Sequence, residues 1–510
     1  MNEKINGYYL DSEQQKIVLD DSKYLLVVAG AGSGKTLTIL GKINYLVKYQ
    51  KINPNEILCI SFTKKASTSL KEKIKKEFSL DMSVYTFHKL ALEILSEDTY
   101  NIADDNILED IIHEYFYETI INYDSYMKLV LSYLDIKNKK NIKDSYLEAY
   151  TKNNNSFKLL EKLLSTFIHL LKCNSYSIND FTQFLKEARK TFSYSKYKHE
   201  KIFLILSLNI YLIYYQYLEE NNEIDFDDMI IKATEKVKQN NMKKNYKYII
   251  IDEYQDTSFI RFNLIQNILT VTDAKLMVVG DDFQSIYRFT GCDLSLFLDF
   301  SNYFKDAKIM KIQNTYRNSQ ELIKVAGNFV MKNKRQIYKD LRSNKLLTKP
   351  IRIIYYTNIK EKFKILIEKI YADTLKPILI LGRNNKDICK LLDDDYTLKE
   401  DGTIIYKINP DINIYYLTVH KSKGLEEENV IIINLENNLL GFPNKIKDEK
   451  VLRFVSNNNE KVYSEERRLF YVALTRTKNY VYLLVPTKNE SIFVKELING
   501  YPKMIDKIKL

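Results

Sequence analysis

A chain of 510 residues is too long for one ordinary hydrophobic core, so roughly two to four domains are expected. Hydrophobic residues make up 45% of it, which fits a soluble globular protein and a cytoplasmic setting, and the net charge of +11 suits an acidic partner such as nucleic acid. The abundance of Lys, Asn, Ile and Tyr is a second source of that charge. Cys59, Cys173, Cys292 and Cys389 form no C-x-x-C pair, so neither a disulfide framework nor a zinc site is indicated, and His113, His169 and His199 read as structural.

In chain order, MNEKINGYYLDSEQQ carries charges where a signal peptide needs an apolar run. The next segment, LLVVAGAGSGKT (25–36), reads as a buried strand, a glycine-rich turn and the start of a helix over Leu37–Val47. It matches the phosphate-binding pattern G-x-x-x-x-G-K-[ST] except that Ala29 replaces the first glycine. Ala29 precedes the turn and need not touch phosphate. Ala29, Gly30, Ala31, Gly32, Ser33 and Gly34 form the candidate cradle, Lys35 supplies a point charge for the terminal phosphates, and the Thr36 hydroxyl is a candidate Mg²⁺ ligand. The competing reading is an ordinary glycine-rich turn.

Residues 98–225 are rich in helical patterns and read as an inserted helical domain. Its most apolar stretch, Phe203–Leu218, is short for a membrane span and interrupted by Ser207, Asn209 and Gln216, so a buried or interface helix is expected and no membrane association. Tyr248–Ile251 then reads as a strand buried on both faces, with Asp252 at its carboxyl end, where open α/β sheets bind ligands. Another strand over Leu276–Val279 leads to Gln284. After about residue 305, short apolar runs at 351–356, 377–381, 414–419, 430–435 and 480–485 alternate with helical patterns such as 320–331, which predicts a second α/β domain.

In a P-loop ATPase, a loop Thr and a strand-end Asp hold Mg²⁺ while a carboxylate orients the attacking water. Thr36 and Asp252 fit the first role and Glu253 the second; Gln284 is placed to sense the γ-phosphate. Arg317 and Arg476 are candidates to reach in from the second domain, although either one taken alone is more often a surface ion-pair partner.

The ordered segments LDSEQ (10–14), AGAGSGKT, ISFTKKA (60–66), YTFHKL (85–90), DFDDMI (225–230), IDEYQDTS, VVGDDFQSIYRFTG, NTYRNS, TVHKSKGLE and EERRLFYVALTRT resemble the UvrD/Rep family of superfamily 1 DNA helicases over nearly the whole chain. The form YRFTG followed by DLSL is most similar to the helicase IV branch. The resemblance implies two RecA-like α/β domains. The first covers 1–97 and 226–304, with the helical insertion at 98–225; the second covers 305–510. The family's large second insertion would be absent or reduced to a hairpin near 384–417.

It also implies ATP and Mg²⁺ as cofactors, Gln14 reading adenine, Glu426 the ribose, and Arg317 and Arg476 as arginine fingers. DNA contacts map to Phe62, Thr63, His88, Tyr287, Phe289, Thr418 and His420, where aromatic faces stack on bases and short polar groups position phosphates. Without the motifs, Phe62 and Phe289 read as core. Three positions depart from the common pattern: Leu37 and Thr290 stand where many relatives have Arg, and Phe289 where many have Trp.

The expected activity is ATP-dependent 3′-to-5′ unwinding or translocation on single-stranded DNA or tailed duplex, as a monomer or weak oligomer, in repair, recombination or replication. The rival reading is a nucleotide-switched DNA-binding subunit that recruits a nuclease or other repair or defence factor. Neither a long N-terminal arm nor an appended nuclease domain is expected.

Overall fold

The computed structural model describes residues 4–96, 98–137, 141–456 and 462–509. Strands β1 (Tyr24–Ala29), β2 (Ile57–Ile60) and β3 (Val84–Tyr85) come first; short strands β4 (Asn101–Ile102) and β5 (Glu223–Ile224) bracket a helical region; β6 (Tyr248–Ile251), β7 (Lys275–Gly280) and β8 (Lys308–Ile312) follow. The six longer-range partners form a parallel sheet in the order β3-β2-β6-β7-β1-β8. Successive side chains of a strand point to opposite faces, and both faces of this sheet are covered. Leu26, Val28, Ile249, Ile251, Leu276 and Val278 enter one core, while Leu25, Val27, Tyr248, Ile250, Met277 and Val279 enter the other. This two-sided burial is why YIII and LLVV are uninterrupted apolar runs.

Strand β8 pairs with β1, so the first unit continues to Ile312, past the limit of 304 read from the sequence. The physical reason is that β8 is an edge strand: Lys308 and Ile309 are exposed, and KIMKI lacks the continuous apolar signature of its neighbours.

The second sheet contains β9 (Ile351–Tyr356), β10 (Ile378–Gly382), β11 (Tyr396–Leu398), β12 (Thr403–Tyr406), β13 (Ile414–Thr418), β14 (Asn429–Ile432), β15 (Val481–Pro486) and β16 (Ile505–Ile508), in the order β11-β12-β13-β10-β14-β15-β9-β16. Its central pairs are parallel, and the β11–β12 hairpin joins β13 antiparallel. The interval 384–417 therefore holds a short turn, Asn385–Lys390, and this hairpin.

Between β4 and β5 lies a helical layer whose core includes Phe116, Phe157, Phe167, Ile168, Phe203 and Leu206. Helix Tyr194–Glu220 is, among the described residues, the one helix long and apolar enough by length and composition to cross a membrane. In the fold it packs on helices Asp124–Tyr133 and Phe181–Arg189, burying Ile202, Phe203, Leu206 and Ile210.

A segment of the second unit also enters this layer. Val451, Phe454 and Val455 join its core, the Phe184 and Phe454 rings lie 5.8 Å apart, and Asn174 donates to the Val455 carbonyl at 2.9 Å. The carboxylate of buried Glu200 accepts from both terminal nitrogens of Arg453. Truncating a buried Phe costs about 3–5 kcal/mol. Phe454→Ala is therefore expected to release 450–456, raising the rate of limited proteolysis there by at least about tenfold, whereas Phe454→Leu changes it far less.

Candidate nucleotide site and nucleic-acid interface

Strand β1 ends at Ala29, the turn runs from Gly30 to Gly34, and a helix starts at Lys35. Gly32 and Gly34 have φ of +70° and +79°, a region that penalises any Cβ. Space forbids one as well: a Cβ on Gly32 would stand 2.5 Å from the Arg317 Cβ, and one on Gly34 would stand 2.7 Å from the Gln14 amide nitrogen. An anion cradle requires its carbonyls to be engaged elsewhere. Here Thr315 Oγ1 donates to the Ala31 carbonyl at 2.7 Å, the Tyr316 amide to Gly32 at 3.0 Å, and Gln14 Nε2 to Ser33 at 3.2 Å. The Ser33 hydroxyl is buried without a hydrogen-bond partner among the described residues. A turn with engaged carbonyls, no room for a Cβ at Gly32 or Gly34 and an orphaned hydroxyl fits a bound polyphosphate.

Beyond β6, Lys35 Nζ lies 3.0 Å from Glu253 Oε1, and Gln255 Nε2 donates to Glu253 Oε2 at 2.6 Å. Glu253 adopts φ +53°, a strained conformation for a side-chain-bearing residue that turns the chain just past Asp252. Burial works against the carboxylate of Glu253, but the charges of Lys35 and Lys423 hold its pKa below the usual range. For Asp252, burial and the neighbouring Glu253 charge push the pKa up. The two acids are thus driven apart, with the negative charge concentrated on Glu253. Burial opposes the Lys35 charge, yet Glu253, Asp281 and Asp252 together raise its pKa.

The second unit closes over this face. Gln284, almost fully buried, donates to Asp281 Oδ2 at 2.6 Å and accepts from Arg476 Nη2 at 3.0 Å. Arg476 is buried too, and donates further to the carbonyls of Val472 and Leu425. Burial and the Arg317 charge press its pKa down to about 9, which leaves it charged at neutral pH. Arg317 lies beside Gly32 and donates to Glu426 Oε2 at 2.6 Å, and its charge helps hold Glu426 ionised against burial. Lys423 bonds the Asp256 carboxylate and, at 2.8 Å, the Gln284 carbonyl.

A ring cluster lies next to this junction. Phe62 and Tyr287 stack with centroids 5.8 Å apart and planes at 14°, Phe289 meets His420 edge-on at 5.5 Å, and Tyr287 donates to the His420 carbonyl at 2.9 Å. Lys423 sits over the Tyr287 ring at 5.0 Å, and the Arg261 guanidinium over Phe62 at 5.0 Å. Phe289 is 58% exposed, so it is a surface ring and not core. Thr63 caps helix Lys64–Phe78 through its hydroxyl. His88 stands apart from these rings and packs edge-on against Phe226 at 5.3 Å, while Thr418 ends β13 with its hydroxyl 3.4 Å from the Lys421 amide.

Sequence reasoning missed Thr315, Tyr316, Lys339 and Lys423. Lys339 is fully buried and pairs with both Asp281 and Asp282, fixing the loop that carries Gln284. Nothing in its surroundings, YKDLRS, signals that role; Lys423 lies inside TVHKSKGLE but carries no signal apart from its neighbours.

Burial and the charges of Arg383 and Lys423 lower the His420 pKa from 6.5 to about 4. The unfolded chain therefore binds more protons between those values, and this contribution to stability is full above pH 6.5 and lost as pH falls toward 4. Buried Asp256, pushed up to about 6, contributes with the opposite sign, so the comparison is with His420→Gln. That variant should show a smaller loss of melting temperature than the parent on acidification through this window.

Comparison with known proteins places the chain in a family. The UvrD/REP helicase N-terminal domain matches residues 10–305, and the UvrD-like helicase C-terminal domain matches residues 391–488. The chain is 29% identical over 408 residues to the probable DNA helicase II homolog of Mycoplasma capricolum, covering 78% of this chain and 49% of that protein. It is 28% identical over 503 residues to DNA helicase IV of Escherichia coli, covering 96% and 70%, and 26% identical over 453 residues to ATP-dependent DNA helicase Rep of Buchnera aphidicola, covering 84% and 59%. The chain thus spans about half the length of the Mycoplasma relative. With more than half of its residues matched by the N-terminal domain, a mixed α/β fold of two parallel-stranded units and the P-loop between them, the chain belongs to the UvrD/Rep helicase family.

Proposed function

We propose that this chain is an ATP-dependent DNA helicase that steps along single-stranded DNA in the 3′-to-5′ direction and unwinds tailed duplex. One observation carries the reading: Lys423 touches the Asp256 carboxylate, the Gln284 carbonyl and the face of Tyr287, so one cation links the nucleotide side to the ring cluster. Names of relatives, DNA helicase IV and ATP-dependent DNA helicase Rep, support the same reading.

In this reading the segment 29–36 cradles the ATP phosphates, Gln14 and Glu426 face adenine and ribose, and Thr36 with Asp252 would hold Mg²⁺, which when bound neutralises phosphate charge. Glu253, kept ionised by Lys35, orients the attacking water. Arg317 and Arg476 stabilise charge on the transferring phosphoryl group, and Gln284 reports its presence to the second unit. Phe62, Tyr287 and Phe289 offer faces to bases without reading sequence, while Thr63, His88, Thr418 and His420 position the backbone. His420 and His88 have pKa values lowered chiefly by burial, so each suits hydrogen bonding as a neutral ring. Closure of the two units on ATP and opening after hydrolysis would move the strand.

Lys35→Ala should abolish hydrolysis; retained turnover would contradict the site. Glu253→Gln should slow hydrolysis by about 10²–10⁴ while nucleotide still binds, and Arg476→Ala by about 10³–10⁵. Unwinding of 3′-tailed but not 5′-tailed duplex by the purified chain tests polarity. Robust ATP turnover without unwinding would instead favour a nucleotide-switched subunit working with a nuclease or repair partner, a reading that the small hairpin in 384–417 favours.

A further inference from the structure

We propose that His169, Cys173 and Asp227 bind one divalent transition-metal ion of the zinc class, fastening the helical layer to the first α/β unit. The group lies outside the nucleotide site and is, among the described residues, the one set of His, Cys, Asp and Glu side chains close enough to share an ion. His169 and Cys173 are four residues apart in the last turns of helix Asn154–Cys173, hence on one face, and Asp227 is in the first turn of helix Phe226–Lys238.

The spacing suits tetrahedral coordination. Zinc bonds of about 2.3 Å to sulfur and 2.0–2.1 Å to nitrogen or oxygen place ligand atoms about 3.4–3.6 Å apart. With His169 Nδ1 as the ligand atom, Cys173 Sγ lies 3.5 and 3.6 Å from the two Asp227 oxygens and 3.9 Å from Nδ1, and Nδ1 lies 2.9 Å from Asp227 Oδ2. Turning the exposed His169 ring so that Nδ1 moves by roughly half an ångström, away from Asp227 and toward the sulfur, completes the face.

Thiolate with imidazole selects this class of ion over Mg²⁺ and Ca²⁺, which take oxygen ligands. A thiolate and a carboxylate balance the two charges of the cation. Binding expels the Cys173 thiol proton and the proton shared by His169 and Asp227, each to solvent. Cys173 and Asp227 are buried while the His169 side chain is 43% exposed, which supplies an entry path and room for water as the fourth ligand.

The position gives the ion a mechanical consequence. The turn after Phe289 rests directly on Cys173: a Cβ on Gly291 would stand 2.4 Å from the Cys173 Cβ, and the Thr290 carbonyl lies 3.8 Å from its sulfur. An ion here would stiffen the support behind the ring cluster.

The test is Co²⁺ titration of the reduced, nucleotide-free full chain carrying Cys389→Ser, which removes the exposed thiol, followed by thiolate-to-cobalt absorption and by elemental analysis after dialysis. One retained equivalent, displaced by Zn²⁺ but not by excess Mg²⁺, is expected. The thiolate band should vanish in Cys173→Ser, and affinity should fall about 10–100-fold or more in His169→Gln, whose exposed ring spares the fold. No retained ion, or an undiminished band in Cys173→Ser, overturns the proposal. Should Cys173→Ser fail to fold, unchanged affinity in His169→Gln overturns it equally.

Discussion

Two cations of the second unit are buried against the first: Arg476 on Gln284, and Lys423 on Asp256 and the Gln284 carbonyl. Taking a charge out of water is costly enough that each survives only with its partners in place, and removing one partner leaves an uncompensated charge. The contact is therefore an all-or-none condition on how the two units meet. The loops it touches, 252–256 and 281–285, carry Glu253 and Gln284 on the side of the turn 30–34.

The same contact joins the P-loop side to the ring cluster. Lys423 sits on Tyr287, Tyr287 stacks on Phe62, and its hydroxyl holds the main chain at His420. Lys339 locks the other side of the loop by pairing with both Asp281 and Asp282 where no water reaches. Gln284 thus contacts packed side chains of both units, the continuous contact that coupling between sites requires. The docking of 451–455 into the helical layer adds a second tie, so the second unit is packed against both other parts of the chain.

The α/β class was legible because parallel strands buried on both faces are spelled as apolar runs, and Tyr248–Ile251 and Ile351–Tyr356 begin and end where those runs do. Ala29 illustrates why the imperfect loop pattern misleads a strict reading: it is the last residue of β1, outside the turn where glycine is needed. Edge strands were harder, since β8 is half exposed and the β11–β12 hairpin is short and mixed. Roles that arise by juxtaposition left no local trace: Thr315 and Tyr316, inside NTYRNS, hold P-loop carbonyls from nearly three hundred residues away, and Lys339 is an ordinary lysine until two aspartates meet it. His169 reads as structural in the sequence and no zinc site is indicated there, because His169 and Cys173 meet Asp227 only through the packing of two helices.

The most direct test of this coupling is steady-state ATP hydrolysis with and without single-stranded DNA, at stated salt, in the parent chain and in Gln284→Ala. Strong stimulation by DNA in the parent, lost in the variant while nucleotide binding persists, is the result this account predicts. Stimulation of equal size in both proteins would contradict it.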